Sequence, residues 1–219
     1  GQPLVAYRQT INGSVTVEGR YIKQTGGHGQ YAVCEVIFER GESVAFEFKN
    51  EIIGGTVPRE YIPSIHRGIK EACERGGALG YPFVNVRARL IDGKFHPVDS
   101  SDLAFHLAGS LAFRMALERL HVVILEPRMR FEVVVPPEYL GDVVGDLNSR
   151  RAEIQEIVSD NTTVRTIRGL VPLAEMFSYT TTLRSLTQGR GTSSLEPAEY
   201  SPVPASIAEE IRRDRAKKP

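Results

Sequence analysis

Asp99 to Leu120 leaves the chain the fewest choices. Ala104, Ala108, Ala112 and Ala116 recur at four-residue steps beside Leu103, Leu107 and Leu111, while His106, Ser110, Arg114 and Glu118 form one polar stripe at the same spacing. Four-residue steps put side chains on one face of a helix. Only a narrow stripe is polar, so the rest of the helix must be covered, and a row of alanines lets its backbone lie close to a sheet. Asp99 or Ser100 is expected as the N-cap, with Asp102 in the first turn, where a carboxylate meets the positive helix end. The helix is expected to run to about Leu120.

The covering strands are written upstream in period two: Val15 and Val17; Cys34, Val36 and Phe38; Val44, Phe46 and Phe48. They read as antiparallel strands with one buried face. A first helix carries Ile62, Ile65, Ile69 and Cys73 at helical steps; Pro63 marks a late start or a kink, and Gly76-Gly77 stops it. Another strand alternates Val84, Val86, Ala88 and Leu90, with Asp92-Gly93 expected to break it as a turn. The pattern restarts at Leu125-Glu126-Pro127 and runs strand (Met129 to Val135), helix (Leu140 to Leu147), strand (Ile154 to Val158), strand (Val164 to Val171), helix (Leu173 to Leu183), strand (Thr192 to Glu196). That order, βαββαβ, is the ferredoxin-like split unit, so a domain boundary is expected near residue 125. Asn161-Thr162 is expected to turn between the middle strands and Gly189 to cap the second helix. Beyond Pro197 a Pro/Ser-rich linker to Pro204, a short helix from Ala205 to Arg213 and a frayed end from Arg215 to Pro219 are expected.

Charge enters as an exclusion. Lys and Arg number 27 against 27 Asp and Glu, with 41% hydrophobic and 25% charged residues, which excludes a disordered tail, a collagen, a coiled coil and a bulk polycation. Local basic patches survive that sum. Cys34 and Cys73 form no CxxC pair and read as buried thiols of a cytoplasmic protein. No apolar run approaches the roughly 20 residues of a membrane helix, and no leader is expected at the N-terminus.

Two segments could carry chemistry: Gln24-Thr25-Gly26-Gly27-His28-Gly29-Gln30-Tyr31 and Lys94-Phe95-His96-Pro97-Val98-Asp99-Ser100-Ser101. Each sits at a strand end. A glycine-rich turn is first of all a hairpin, and this one has no Lys-Ser/Thr or helix behind it, so it is no nucleotide phosphate loop. Its glycines do let backbone amides approach a phosphate, and Arg20 and Lys23 lie upstream with no acid between Gly19 and Tyr31. The five histidines (28, 66, 96, 106 and 121) include no HxxxH or HxxEH spacing, so no metal site is expected. His96 could serve as a general base, yet Ser110 lacks the GxSxG elbow and no nucleophile stands near, so no catalytic residue is assigned. A histidine and a glutamine on loop tips with basic flanks suit bases and phosphates of RNA. Downstream, Arg165, Arg168, Arg184 and Arg190 face the single acid Glu175 in their window. That is a second phosphate-binding prospect, against the plainer reading of a solvated strand and helix face.

Longer motifs carry a resemblance. Gly1-Gln2-Pro3-Leu4-Val5-Ala6-Tyr7-Arg8, Gly54-Gly55-Thr56-Val57-Pro58-Arg59-Glu60-Tyr61-Ile62-Pro63, Gly80-Tyr81-Pro82, Val98-Asp99-Ser100-Ser101 and Leu183-Arg184-Ser185-Leu186-Thr187-Gln188-Gly189-Arg190 occur in this order. Together they resemble the C-terminal third of elongation factor G, or of a close paralogue, over nearly the whole chain. The resemblance implies an α+β protein of two domains. Residues 1–125 would be the fourth domain, similar to domain 2 of ribosomal protein S5 with a left-handed βαβ crossover; 126–200 would be the ferredoxin-like fifth domain; 201–219 would be a linker and a C-terminal helix folding back toward the fourth domain.

In that family the tip of the fourth domain enters the decoding centre of the ribosome and contacts the tRNA–mRNA helix during translocation. Carried over by motif, the tip loops are Gly26, Gly27, His28, Gly29 and Gln30, and Lys94, His96, Pro97 and Val98; the arginines at 165, 168, 184 and 190 become candidate ribosomal RNA contacts. His28 stands where the family commonly has Arg, and Phe38 to Ser43 is shorter than usual. No GxxxxGK[ST] occurs, so the resemblance implies a cofactor-free fragment, monomeric and cytoplasmic, of a longer GTPase that binds GTP and Mg²⁺ elsewhere. The alternatives are a paralogue acting in ribosome recycling or protection, a small-molecule kinase-like enzyme on the S5-like fold, and a module docking on RNA through Arg212, Arg213, Arg215, Lys217 and Lys218.

Overall fold

The computed structural model describes residues 5–159 and 163–218. In chain order its elements are β1 (Arg8–Asn12), β2 (Ser14–Lys23), β3 (Gln30–Arg40), β4 (Glu47–Asn50), α1 (Ile62–Arg75), β5 (Val86–Lys94), α2 (Asp102–Arg119), β6 (His121–Val135), α3 (Leu140–Ser149), β7 (Glu153–Val158), β8 (Arg165–Pro172), α4 (Tyr179–Thr187), β9 (Thr192–Pro202) and α5 (Ala205–Ala216). The fold is α+β, and its described part divides into two compact units, residues 8–124 with 204–218, and 5–7 with 125–203.

In the unit holding α2, a four-stranded sheet has the order β2-β3-β5-β4. The alanine row lies against it as its spacing demands: a methyl group on Gly19 of β2 would stand 2.1 Å from the Ala108 carbonyl oxygen and 2.8 Å from Ala112 Cβ. The two helices also cross closely, because a Cβ on Gly68 would fall 2.1 Å from the His106 oxygen and one on Gly109 2.8 Å from the Ile65 oxygen. Phe38, Phe105 and Phe113 fill the space between sheet and helices. Cys34 and Cys73 are buried among them as free thiols, and loss of water pushes both up to about 12. Pro63 falls in the first turn of α1, where its missing N–H costs nothing, and Gly76 (φ +77°) closes the helix in the left-handed region.

Several expectations need correction. The cap of α2 is Ser101, whose hydroxyl accepts from the Ala104 N–H at 3.1 Å, because Asp99 and Ser100 are engaged elsewhere. Leu103 is exposed, the apolar face being Ala104, Phe105, Ala108, Gly109, Ala112 and Phe113. The strand expected from Val44 to Phe48 is the short β4, which pairs parallel with β5 rather than antiparallel. Asp92-Gly93 does not break β5: the strand runs on to Lys94, paired with Val33 of β3 beyond a bulge at Glu35 and Val36. Gly93 is there for close approach, since a Cβ would meet Val57 Cγ2 at 2.4 Å and the Val33 oxygen at 2.5 Å.

The other unit is built of β6 from Leu125 onward, α3, β7, β8, α4 and β9, its sheet ordered β9-β6-β8-β7 with every pair antiparallel. This is the ferredoxin-like arrangement. Phe131, Val133, Val143, Leu147, Ile167 and Leu183 form its core. Glu126 is 2% exposed and is held by both terminal nitrogens of Arg151, at 2.8 and 3.0 Å. The expected helix from Leu173 is instead a single 3-10 turn; α4 begins only after Ser178, whose φ of +66° breaks the run. Gln188, also left-handed, shares the C-terminal cap with Gly189. The expected linker after Pro197 is strand as far as Pro202. The turn expected at Asn161-Thr162 lies outside the described residues.

Helix α5 belongs to the first unit and reaches Ala216, three residues past the expected end. Arg215 is not frayed: its Nε donates to the Leu79 oxygen at 2.6 Å and its guanidinium lies 5.3 Å from the centre of the Tyr81 ring.

Candidate nucleic-acid interface

The β2–β3 turn and the β5–α2 loop, far apart in sequence, meet at one end of the sheet. Asp99 joins them. Its Oδ1 accepts from the Gly29 N–H at 3.2 Å, its Oδ2 from the Gln24 amide at 2.9 Å, and its own carbonyl from the Tyr31 N–H at 2.9 Å. Next to it, the Ser100 hydroxyl donates to the Tyr31 oxygen at 2.6 Å and accepts from the His96 N–H at 2.9 Å. Gly29 is buried against this carboxylate: a Cβ there would lie 2.7 Å from Asp99 Oδ2. The Gln24 amide, above all, holds the Asp99 carboxyl below its usual range; partial loss of water opposes this, and the Gly29 N–H and the nearby His96 and His28 add to the lowering.

His96 has its Nδ1 turned inward, accepting from the N–H groups of Val98 at 3.2 Å and Asp99 at 3.1 Å. A neutral ring in this arrangement carries its proton on Nε2, which remains a donor. Gln30 begins β3, and its Oε1 accepts from the Ser101 hydroxyl at 3.4 Å. Gly26, Gly27 and His28 are exposed, with Gly26 at φ +68° and Gly27 at φ +70° and open space where a side chain would project. Lys94, Pro97 and Val98 are exposed too. The structure therefore brings both expected loops into one surface. It adds Phe95, 44% exposed between Lys94 and His96, which the residue-type reading passed over. Asp99 was also missed as a site residue. A signal existed: Asp99, Ser100 and Ser101 offer three caps for one helix, so two of them had to serve something else.

The charge windows fare differently. Arg20 pairs with Glu18 at 2.9 Å; Arg89 pairs with Glu39 at 2.6 Å and Glu51 at 3.1 Å; Arg87 lies 3.8 Å from Glu39 and 3.6 Å from Glu47. On the other unit Arg168 pairs with Glu132 at 2.9 Å and Glu156 at 3.6 Å, both its cross-strand partners, and Arg190 pairs with Glu138 at 2.8 Å. Four arginines against one acid was a count along the chain, and the sheet supplies acids from neighbouring strands. Arg165 is half-buried at the start of β8, donating to the Val164 oxygen at 3.0 Å, while Arg184 is exposed on α4. The four arginines do not form an uncompensated patch. Among the described residues no three His, Cys, Asp or Glu side chains are placed to share a metal ion, and no helix is long and apolar enough to cross a membrane.

Residues 3–120 match the family described as elongation factor G, domain IV, and residues 123–211 match elongation factor G C-terminus. The chain belongs to the elongation factor G family. A crystal structure of a protein from Thermus thermophilus is 40% identical to it, with a TM-score of 0.88 over 99% of this chain; the match spans 32% of that longer protein. The domain IV match contains both tip loops, and the match to the elongation factor G C-terminus ends inside α5. The chain thus corresponds to a C-terminal portion of a translation elongation factor.

Proposed function

We propose that this portion binds the ribosome and that its clamped double loop enters the decoding centre, where it promotes movement of tRNA and mRNA. The observation that carries the reading is the Asp99 clamp: a carboxylate of the β5–α2 loop bound to Gln24 and Gly29 of the β2–β3 turn makes the two loops a single tip. That tip presents Lys94, Lys23 and His28, the outward edge of His96, and exposed Phe95 and Val98. Cations and imidazole N–H groups suit phosphates and base edges, and a half-exposed aromatic ring suits stacking on an unpaired base. The chemistry is occupancy and hydrogen bonding, with no covalent step. GTP and Mg²⁺ belong in this reading to another part of the longer protein, which hydrolyses the nucleotide before or with translocation in the cytoplasm; the chain itself acts as a monomer. The exposed Arg184 is the better of the four arginines as a ribosomal RNA contact, because Arg168 and Arg190 are already paired.

Competition with labelled full-length factor for ribosomes tests the reading. The chain is expected to compete, with affinity falling steeply as salt rises, since phosphate contacts release counterions. No competition at low salt would overturn it.

A further inference from the structure

Helices α1 and α2 start side by side, with the Ser64 hydroxyl donating to Asp102 at 2.7 Å, and touch most closely at Gly68 and Gly109. They then part company. α1 ends at Arg75 with Gly76 as its cap, whereas α2 continues to Arg119. The result is a groove of about 770 Å³ floored by Ala72, Phe113 and Leu117. It lies wholly within one unit and contains none of the tip residues.

The wall of the groove is rich in donors. Arg75 donates to the Ser110 hydroxyl at 2.9 Å, so that hydroxyl accepts there and keeps its own hydrogen to give away. Arg114 stands one helical turn further along α2. Among the described residues neither guanidinium has a carboxylate within ion-pair distance, so both forks are free to take an anion. Glu118, also on the lining, pairs with neither. Ser110, Arg114 and Glu118 are three of the four residues of the polar stripe that marks α2 in the sequence, and the tip uses none of them.

We propose that this groove binds a free small organic anion, a phosphate monoester or carboxylate carried on a compact apolar body. Arg75, Arg114 and Ser110 take the anionic head, since planar guanidinium forks match phosphate and carboxylate oxygens. The apolar body lies on Phe113, Leu117 and Ala72. The volume suits a single small molecule. A continuous RNA backbone fits less well, because Glu118 sits on the lining and would repel successive phosphates.

Phenyl phosphate is the probe, followed through backbone amide chemical shifts of the whole 219-residue chain. Saturable shifts are expected at Arg75, Gly77, Ala78, Ser110, Arg114 and Leu117, with Gly29 and Tyr31 of the tip unmoved. Inorganic phosphate, lacking the apolar body, is expected to bind about tenfold more weakly, and Arg75→Gln or Arg114→Gln to weaken phenyl phosphate by about tenfold each. Both arginines are exposed, so these variants fold, and unchanged shifts outside the groove verify it. Ala78→Leu fills the groove from its exposed rim and is expected to block binding while both arginines remain. Absence of saturable shifts overturns the proposal. So does equal affinity for inorganic phosphate, or phenyl phosphate affinity that survives both arginine variants. None of these outcomes depends on ribosome binding.

Discussion

At the scale of single residues, the tip depends on a carboxylate and an imidazole that both act as acceptors. Asp99 takes hydrogen bonds from Gly29 and Gln24, so its charged form is the one the fold favours, and its carboxyl titrates below the ordinary range. A group whose folded pKa is depressed contributes its stabilisation above the unfolded value and loses it as pH falls through the folded one. The clamp is therefore expected to stay constant from neutrality down to about pH 4 and to open only below it. The Gly29 amide shift followed against pH checks this, and a midpoint above the ordinary aspartate value would contradict it. Asp99→Ala is expected to release the Gly29 and Gln24 contacts while leaving the cap of α2 intact, because Ser101 holds that cap. Little of this was legible in the sequence. Residue type marked Asp99 as a helix cap, and only the meeting of residues 24–31 with 94–101 reveals what it binds.

At the scale of elements, the alanine row of α2 was the most reliable signal, and the structure explains why it is spaced as it is. Gly19 opposes it across the β2 interface, so Gly19→Ala must push α2 from the sheet or distort β2. Overpacking of this kind costs about 1–3 kcal/mol, readable in a urea titration that follows amides of this unit alone. A variant as stable as the parent chain would show that the contact is looser than described. In the other unit, Arg151 serves the nearly inaccessible Glu126 and also Glu175, at 3.0 Å. Arg151→Ala strands a buried carboxylate and is expected to destabilise that unit by about 3–5 kcal/mol, measured the same way.

Element order was legible wherever a period ran for several residues, as in α2 and the βαββαβ half. It failed where punctuation misled. Asp92-Gly93 reads as a turn, but the glycine is needed because Val33 and Val57 press on it. Pro197 and Pro202 read as a linker, yet β9 is an edge strand that can spare backbone donors, and Pro197 sits opposite Met129 beside a bulge. Ser178 gave no sequence warning that α4 would start late, since a left-handed backbone at a serine between the 3-10 turn and the helix leaves no mark in residue type.

At the scale of the whole molecule, neutral composition hides how the charges are used. Windows along the chain suggested basic patches, but acids on the same or neighbouring strands pair with Arg20, Arg87, Arg89 and Arg168, leaving Lys23 and Lys94 as the cations of the tip. Motifs spread over both units carried the resemblance, which no period or charge count could supply, and the family matches over 3–120 and 123–211 show the membership; the Thermus thermophilus protein is matched over 32% of its own length. The central claim is that the clamped tip acts on tRNA and mRNA without taking part in GTP hydrolysis. It is tested most directly in a full-length protein carrying this chain, by measuring single-round translocation and ribosome-stimulated GTP hydrolysis in parallel for His96→Ala. Translocation is expected to slow by about tenfold, the loss of one well-placed hydrogen-bonding group, with hydrolysis within about twofold of the unsubstituted protein. An equal loss of both rates, or translocation that does not slow, would contradict the account.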